Sequence, residues 1–205
     1  MPASAGFGGS TKTIGMDTFE YIKSVISIIL GLSLAKLLQG AVKLVQHPGR
    51  TRPYWVHLLW SLYIFLVLVH FWWWEYNLKK VSSWSFEAYF FLIIYITTYF
   101  TICALLWPDD VKDYGDRFED YFYSRKKWFF AVLAFSFVAD VVDTLLKGHN
   151  YFLQSTVEYP LRNGVHFGLC IVAMYVSNRR FHAVLVILFI LYELTYILRL
   201  FNTVS

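Results

Sequence analysis

Trp107 to Trp128 reads WPDDVKDYGDRFEDYFYSRKKW and is the one long charged run in an otherwise apolar chain. It holds Asp109, Asp110, Asp113, Asp116, Glu119 and Asp120, six of the 14 acidic residues, and it divides the chain into two halves of similar pattern. Val111, Tyr114, Phe118, Tyr121 and Phe122 recur at i, i+3, i+7, i+10 and i+11, one face of a 3.6-residue period. Pro108, Asp109 and Asp110 suit a helix N-terminus, where carboxylates meet the positive end of the dipole; Arg125, Lys126 and Lys127 suit the far end. The pattern predicts an amphipathic helix over 108–127, laid on a membrane surface and joining the two halves. A solvated linker is the alternative. Acids and bases nearly balance here, which argues against nucleic acid and against a polybasic lipid anchor. A docked partner protein is compatible with it.

Outside this run, the composition points to lipid as the solvent. The 205 residues are 58% hydrophobic and 20% aromatic, with a mean hydropathy of +0.49. Charged residues make up 16%, against roughly 25% in soluble domains. The net charge of +4 fits membrane topology and anionic lipid better than nucleic acid. Cys103 and Cys170 lie inside apolar runs and read as packing thiols, not as a disulfide or a zinc site. Residues 1–16 are small, polar and Gly-rich; they predict a disordered tail without a cleaved signal, and Met16 is an alternative start.

A spanning helix needs about 20 mostly apolar residues. Six stretches qualify: Phe19 to Val45, Tyr54 to Asn77, Phe86 to Trp107, Trp128 to Leu146, Leu161 to Val176 and Phe181 to Phe201. The fifth is the shortest and most polar, and a re-entrant segment is its alternative. Breakers and charge mark the loops at His47–Pro53, Leu78–Ser85, Gly148 and Ser177–Arg180. Tyr54, Trp55, Trp72 to Trp74, Trp84, Trp107 and Trp128 to Phe130 sit at span ends and read as interfacial anchors. The fold class expected is therefore all-α, a polytopic bundle of six transmembrane helices.

The linker, first loop and fifth loop share one side. They carry Lys43, Arg50, Arg52, Lys112, Arg117, Arg125, Lys126, Lys127, Arg179 and Arg180, against Lys12, Lys23, Lys79, Lys80, Lys147, Arg162 and Arg199 opposite. The positive-inside rule then places the linker in the cytoplasm and both termini outside. Three short matches in order suggest a repeat: Leu37–Gly40 with Leu145–Gly148, Val56-His57 with Val165-His166, and Phe86–Ala88 with Phe181–Ala183. The units are residues 17–107 and 128–205. Three spans per unit make them inverted, as in many transporters.

Ionisable side chains within spans are the candidates for function. Lys36 lies deep in the first span, and Asp140 and Asp143 deep in the fourth. They predict an ion or proton site, with a structural salt bridge as the alternative. Ser136, Asp140, Asp143, Thr144 and Lys147 share one stripe of the fourth span. Arg162, Asn163, His166, Cys170, Ala173 and Ser177 form a second stripe that should face protein or water. Glu193 is a counter-ion for Arg162 or for Arg199. His57 and His166, related by the repeat, are weak candidates for a metal ion or haem, the alternative being a hydrogen bond from each to a neighbouring helix. His70 and Glu75 read as reaching the interface beside the Trp run. No HExxH, GxSxG, CxxC, P-loop or TVGYG sequence occurs, so zinc protease, serine hydrolase, ATPase and potassium-filter chemistry lack a motif.

LGLSLAKLLQG in the first span, YWVHLLWSL entering the second, the FWWW run and YFYSRKKWFF ending the linker resemble a group of short bacterial membrane proteins without an assigned activity. The resemblance covers about Asp17 to Phe201. It implies a bacterial inner-membrane location and transfers no site residue. The function expected is a small transporter or channel with no cofactor, in the bilayer and as a homodimer. A non-transporting accessory subunit acting through the linker is the alternative, and a haem-binding redox subunit the third reading.

Overall fold

The computed structural model describes residues 11–75, 78, 81, 84–147 and 157–200. Among these there are six α-helices and no strand: α1 Thr11–Gln46, α2 Trp55–Trp74, α3 Phe86–Leu106, α4 Phe118–Leu146, α5 Glu158–Tyr175 and α6 Arg179–Leu200. Five of them, all but α5, are long and apolar enough to cross a bilayer. The chain is a polytopic membrane helix bundle.

Helix α1 is described from Thr11, inside the stretch expected to be a disordered tail. Thr11, Thr13, Ile14 and Gly15 are weak helix formers, each costing about 1 kcal/mol or less, too little to stop a long helix. Its buried positions are Ile22, Ile26, Leu30, Ser33, Leu37 and Gly40, steps of three and four along one face. That face lies chiefly against α3. Gly40 is where the Trp107 ring lies on the α1 backbone: a Cβ there would overlap the ring at Cγ and Cδ2. Trp107 is itself buried. Gly40→Ala should therefore cost about 2 kcal/mol by overpacking. Thermal melting in detergent checks this, and a wild-type transition would show that Trp107 yields freely.

The predicted surface helix over 108–127 is not formed. Residues Lys112–Tyr114 make one 3-10 turn, and Gly115 (φ 61°) and Asp116 (φ 55°) then take left-handed conformations. Two such residues in a row end any right-handed helix. Helix α4 starts afresh at Phe118 and runs without a break through the expected boundary at Trp128 to Leu146. The aromatic face is real, but it packs on protein. Val111, Phe118, Tyr121 and Phe122 are all buried in the core. An apolar stripe looks the same from the sequence whether lipid or another helix covers it.

Trp107, Phe129 and Phe130, read as interface anchors, also belong to the core, whereas Trp55 and Trp128 are half or more exposed as expected. Trp60, fully buried, packs edge-on against Tyr63, Phe129, Phe130 and Phe189, and so ties α2 to α4 and α6.

Helix α5 crosses the bundle although it is the least apolar. Its start lies at Thr144 of α4, through Tyr159, and the Val176 carbonyl beyond its end accepts from Lys126. Its 18 residues rise about 27 Å, close to the roughly 30 Å of a hydrocarbon core. Tyr159, Asn163, His166, Cys170 and Ala173 face inward, as the stripe predicted. Leu161, Val165, Ile171 and Val172 face out.

The first loop, the linker and the start of α6 share one end of the bundle. The Arg52 N–H donates to the Asp116 carbonyl (2.7 Å), the Phe118 N–H to the Arg52 carbonyl (3.1 Å), and Arg179 pairs with Glu119 (2.7 Å). The two halves pack differently, however. Helix α1 lies mainly on α3, whereas its counterpart α4 lies mainly on α5 and α3, and α6 lies on α2. One continuous core includes residues of all six helices. The match at Gly148, the loop around it, the loop positions Lys79 and Lys80, and Phe201 lie outside the described residues.

Candidate functional site

The three residues expected to form one ion site are in two places. The Lys36 ammonium pairs with Asp109 at 2.6 Å, beyond the C-terminal end of α3. Asp140 instead meets Tyr95, eleven residues before the end of α3, or about 16 Å along its axis. Lys36 is therefore excluded from the interior site. Its hydrogen bond and charge hold the Asp109 carboxyl below its usual range. The pair thus persists above the ordinary Asp value of about 3.9 and is lost as pH falls through the depressed one.

Asp140 is the centre of the interior network. Its Oδ1 accepts from the Tyr95 hydroxyl (3.2 Å). Its Oδ2 accepts from the Tyr159 hydroxyl (2.9 Å), Asn163 Nδ2 (2.9 Å) and Arg162 Nη2 (3.1 Å). The donors come from α3 and α5, so α4 presents one carboxylate to two neighbours. Tyr99 stands 3.2 Å from the Tyr95 oxygen and Thr144 2.6 Å from that of Tyr159. Because both tyrosines give their proton to Asp140, Tyr99 and Thr144 are the donors in those pairs. The Arg162 guanidinium lies over the ring of Tyr196 at 4.5 Å, a cation–π contact from α6.

A second cluster closes the same end of the bundle. Lys147 bonds to Asp143 at 2.5 Å and to Glu75 at 3.0 Å, and the three side chains are 1%, 2% and 4% exposed. Asp143 and Lys147 are four apart on α4 and its C-cap, so helix geometry sets that pair. Glu75 comes from the end of α2. Its Oε2 is buried without a hydrogen-bond partner among the described residues. Glu75 was expected at the membrane interface and is instead a buried ion-pair partner.

His70, also expected at the interface, meets Glu193 at 2.6 Å between α2 and α6. Glu193 was expected opposite Arg162 or Arg199. Arg162 pairs with Asp140 instead, and Arg199, half exposed at the bundle end, pairs with Glu158 at 2.6 Å. Arg199 is thus outside the intramembrane stripe.

Between these groups lies a cavity of about 60 Å³, with Asp140, Arg162, His166, His70, Glu193 and Tyr99 in its wall. Among the described residues, and besides the Glu158–Arg199 pair, four carboxylates (Glu75, Asp140, Asp143, Glu193) share this end with Lys147, Arg162 and His70. An uncompensated carboxylate in an apolar bundle is strongly disfavoured.

His57 and His166 are not brought together. His57 donates through Nε2 to the Leu106 carbonyl (2.7 Å) and stacks on Phe118. His166 donates through Nδ1 to the Arg162 carbonyl (2.8 Å) and packs against Phe137. Phe118 and Phe137 are about 28 Å apart along α4. Metal–nitrogen bonds are about 2 Å, so the two rings cannot share one ion or one haem iron. No group of three or more His, Cys, Asp or Glu side chains able to hold a metal ion occurs among the described residues.

Tyr95 and Tyr159 were missed by the sequence reading. With 15 tyrosines in the chain, nothing local separates these two from interfacial ones. No protein-family model, curated protein or solved structure matches the chain.

Proposed function

We propose that this protein is a small membrane transporter or channel that moves protons or a small cation, with the Asp140 network as its site. The observation that carries this reading is the cavity of about 60 Å³ with Asp140, Glu193, His70, His166 and Arg162, from four helices, in its wall. Such a space takes a few water molecules, each needing about 10–15 Å³ by the same measure. It is well below the roughly 300 Å³ of a pocket for an organic ligand. Protons and small hydrated cations match both its size and its charge. His70–Glu193, a 2.6 Å pair between α2 and α6 in the cavity wall, is the natural exchange point. The end carrying most of the Lys and Arg is the cytoplasmic one on this reading, and the site lies nearer the opposite end.

The accessory-subunit reading rests on the linker, whose aromatic face is buried in the chain's own core and whose Asp109, Asp110 and Lys112 are exposed.

Proteoliposomes with an internal pH dye test the proposal. A potassium diffusion potential should drive proton or sodium-coupled flux in the wild type. Asp140→Asn and Glu193→Gln should each lower it about tenfold or more in folded protein. Lys36→Gln should leave flux unchanged and cost under about 1 kcal/mol, because Asp109 is 89% exposed. Wild-type protein that moves neither ion, or flux unchanged in both acid variants, defeats the reading.

A further inference from the structure

At the opposite end of the bundle a second cavity, of about 320 Å³, opens between the end of α1 and the segment after α3. Lys36, Lys43, His47 and Arg50 line one side of it, and Asp109, Asp110 and Asp116 the other. Counting Lys112, which pairs Asp110, four Lys and Arg side chains meet three Asp here, so one positive charge is left over. Asp109 is taken by Lys36 and Asp110 by Lys112 (3.3 Å). Lys43, His47 and Arg50 have no ion-pair partner among the described residues. One lysine in the last turn of α1 is explained by the helix dipole. His47 and Arg50 lie past the helix end, so the dipole does not account for them. Gly49 takes φ +88°, and the Arg50 N–H donates to the His47 carbonyl (3.2 Å), so a tight turn folds Arg50 back toward the cavity.

The other side of α1 shows what adjoins this cavity. Lys36, Gly40, Lys43 and His47 follow helical steps on the cavity side. Leu38, Val42 and Val45, on the next face, are 47%, 47% and 79% exposed. In a bilayer that face meets acyl chains. A basic cavity thus opens at the end of a lipid-facing stripe, on the end of the bundle richest in Lys and Arg. Basic pockets beside spanning helices at that membrane surface suit phosphate-bearing headgroups.

We propose that this cavity binds the phosphate headgroup of an anionic phospholipid, with Lys43, His47 and Arg50 as its ligands and the acyl chains along Leu38, Val42 and Val45. Lys43 and Arg50 supply charge and hydrogen bonds to the phosphate oxygens. Asp109 and Asp110 opposite are already paired with Lys36 and Lys112, which leaves Asp116 as the one acid facing Lys43, His47 and Arg50. This site is independent of the Asp140 network.

Native mass spectrometry of the full chain, purified in a neutral detergent, tests the proposal. The probes are phosphatidylglycerol and phosphatidylcholine. One phosphatidylglycerol per chain should be retained over phosphatidylcholine, and Lys43→Gln with Arg50→Gln should weaken retention on the order of tenfold. Lys43→Arg with Arg50→Lys should keep it. Lys127→Gln with Arg180→Gln removes the same charge at the same end, away from the cavity, and should also keep it. Equal retention by the Lys43/Arg50 double variant and the wild type overturns the proposal. So does equal loss in the Lys127/Arg180 control, which would mean diffuse attraction. Melting in inorganic phosphate separates the sources: protection by phosphate equal to that by the lipid overturns the lipid assignment. If the glutamine pair does not fold, the arginine–lysine swap and the remote control still decide.

Discussion

Replacing Asp140 by alanine should destabilise the protein by about 3–5 kcal/mol, because it leaves the buried Arg162 guanidinium without its counter-ion. The cost should exceed that of a surface pair several-fold. Asp140 accepts hydrogen bonds from Tyr95, Tyr159, Asn163 and Arg162, so one truncation strands four donors from two helices. Asp140→Asn keeps the shape and one acceptor oxygen and should cost about half as much. Arg162→Met in the Asp140→Ala background should recover much of the loss, since the unpaired cation is then gone. Unfolding in a denaturing detergent titration, followed by tryptophan fluorescence, measures all three. An Asp140→Ala protein as stable as wild type would mean that water already solvates Arg162, and that the network does not hold α4 to α5.

The second large effect is at Lys147. Lys147→Met should also cost about 3–5 kcal/mol, leaving Glu75 and Asp143 facing each other with no cation between them. One of the two acids would then have to be protonated. The loss should therefore be greatest at alkaline pH and smaller in acid, the reverse of a protein that loses salt bridges on acidification. Glu75→Gln and Asp143→Asn added to Lys147→Met should restore most of the stability. The same titration at two pH values checks the sign. A pH-independent loss would show that the damage is one of packing, since Lys147 also lies 6.0 Å from the Trp74 ring centre.

These effects belong to pairs that the sequence named only in part. Asp143 and Lys147 were placed on one stripe of the fourth span, but Asp143 was expected to pair with Lys36. Asp140 with Arg162 was not legible, although both were singled out. Pairing between helices depends on which helices are neighbours, and sequence periodicity describes each helix alone. Lys36 shows the same limit. It seemed level with Asp140 and Asp143 by its distance along its own span. Depth along separate spans does not place two residues side by side, and the bundle carries Lys36 to the far end.

The Trp107 to Trp128 run shows where local pattern misleads. Its aromatic period was correct, and its prediction of a surface helix was not. Gly115 was visible as a breaker, but whether it turns left-handed depends on what the flanking residues gain. Here Val111 and Phe118 both reach the core with the left-handed turn at Gly115 and Asp116 between them.

By itself the sequence determined the solvent, the number of helices, most of their limits and the inward face of α5. Those follow from apolar length and from a 3.6-residue period, both properties of a chain read locally. The tertiary structure alone decided the partners of the buried charges, the burial of Glu75 and His70, and the separation of His57 from His166. In lipid, helices are free to exchange neighbours at little hydrophobic cost. What selects one arrangement is the packing of small residues such as Gly40 and the pairing of costly charges, and both are relations between helices.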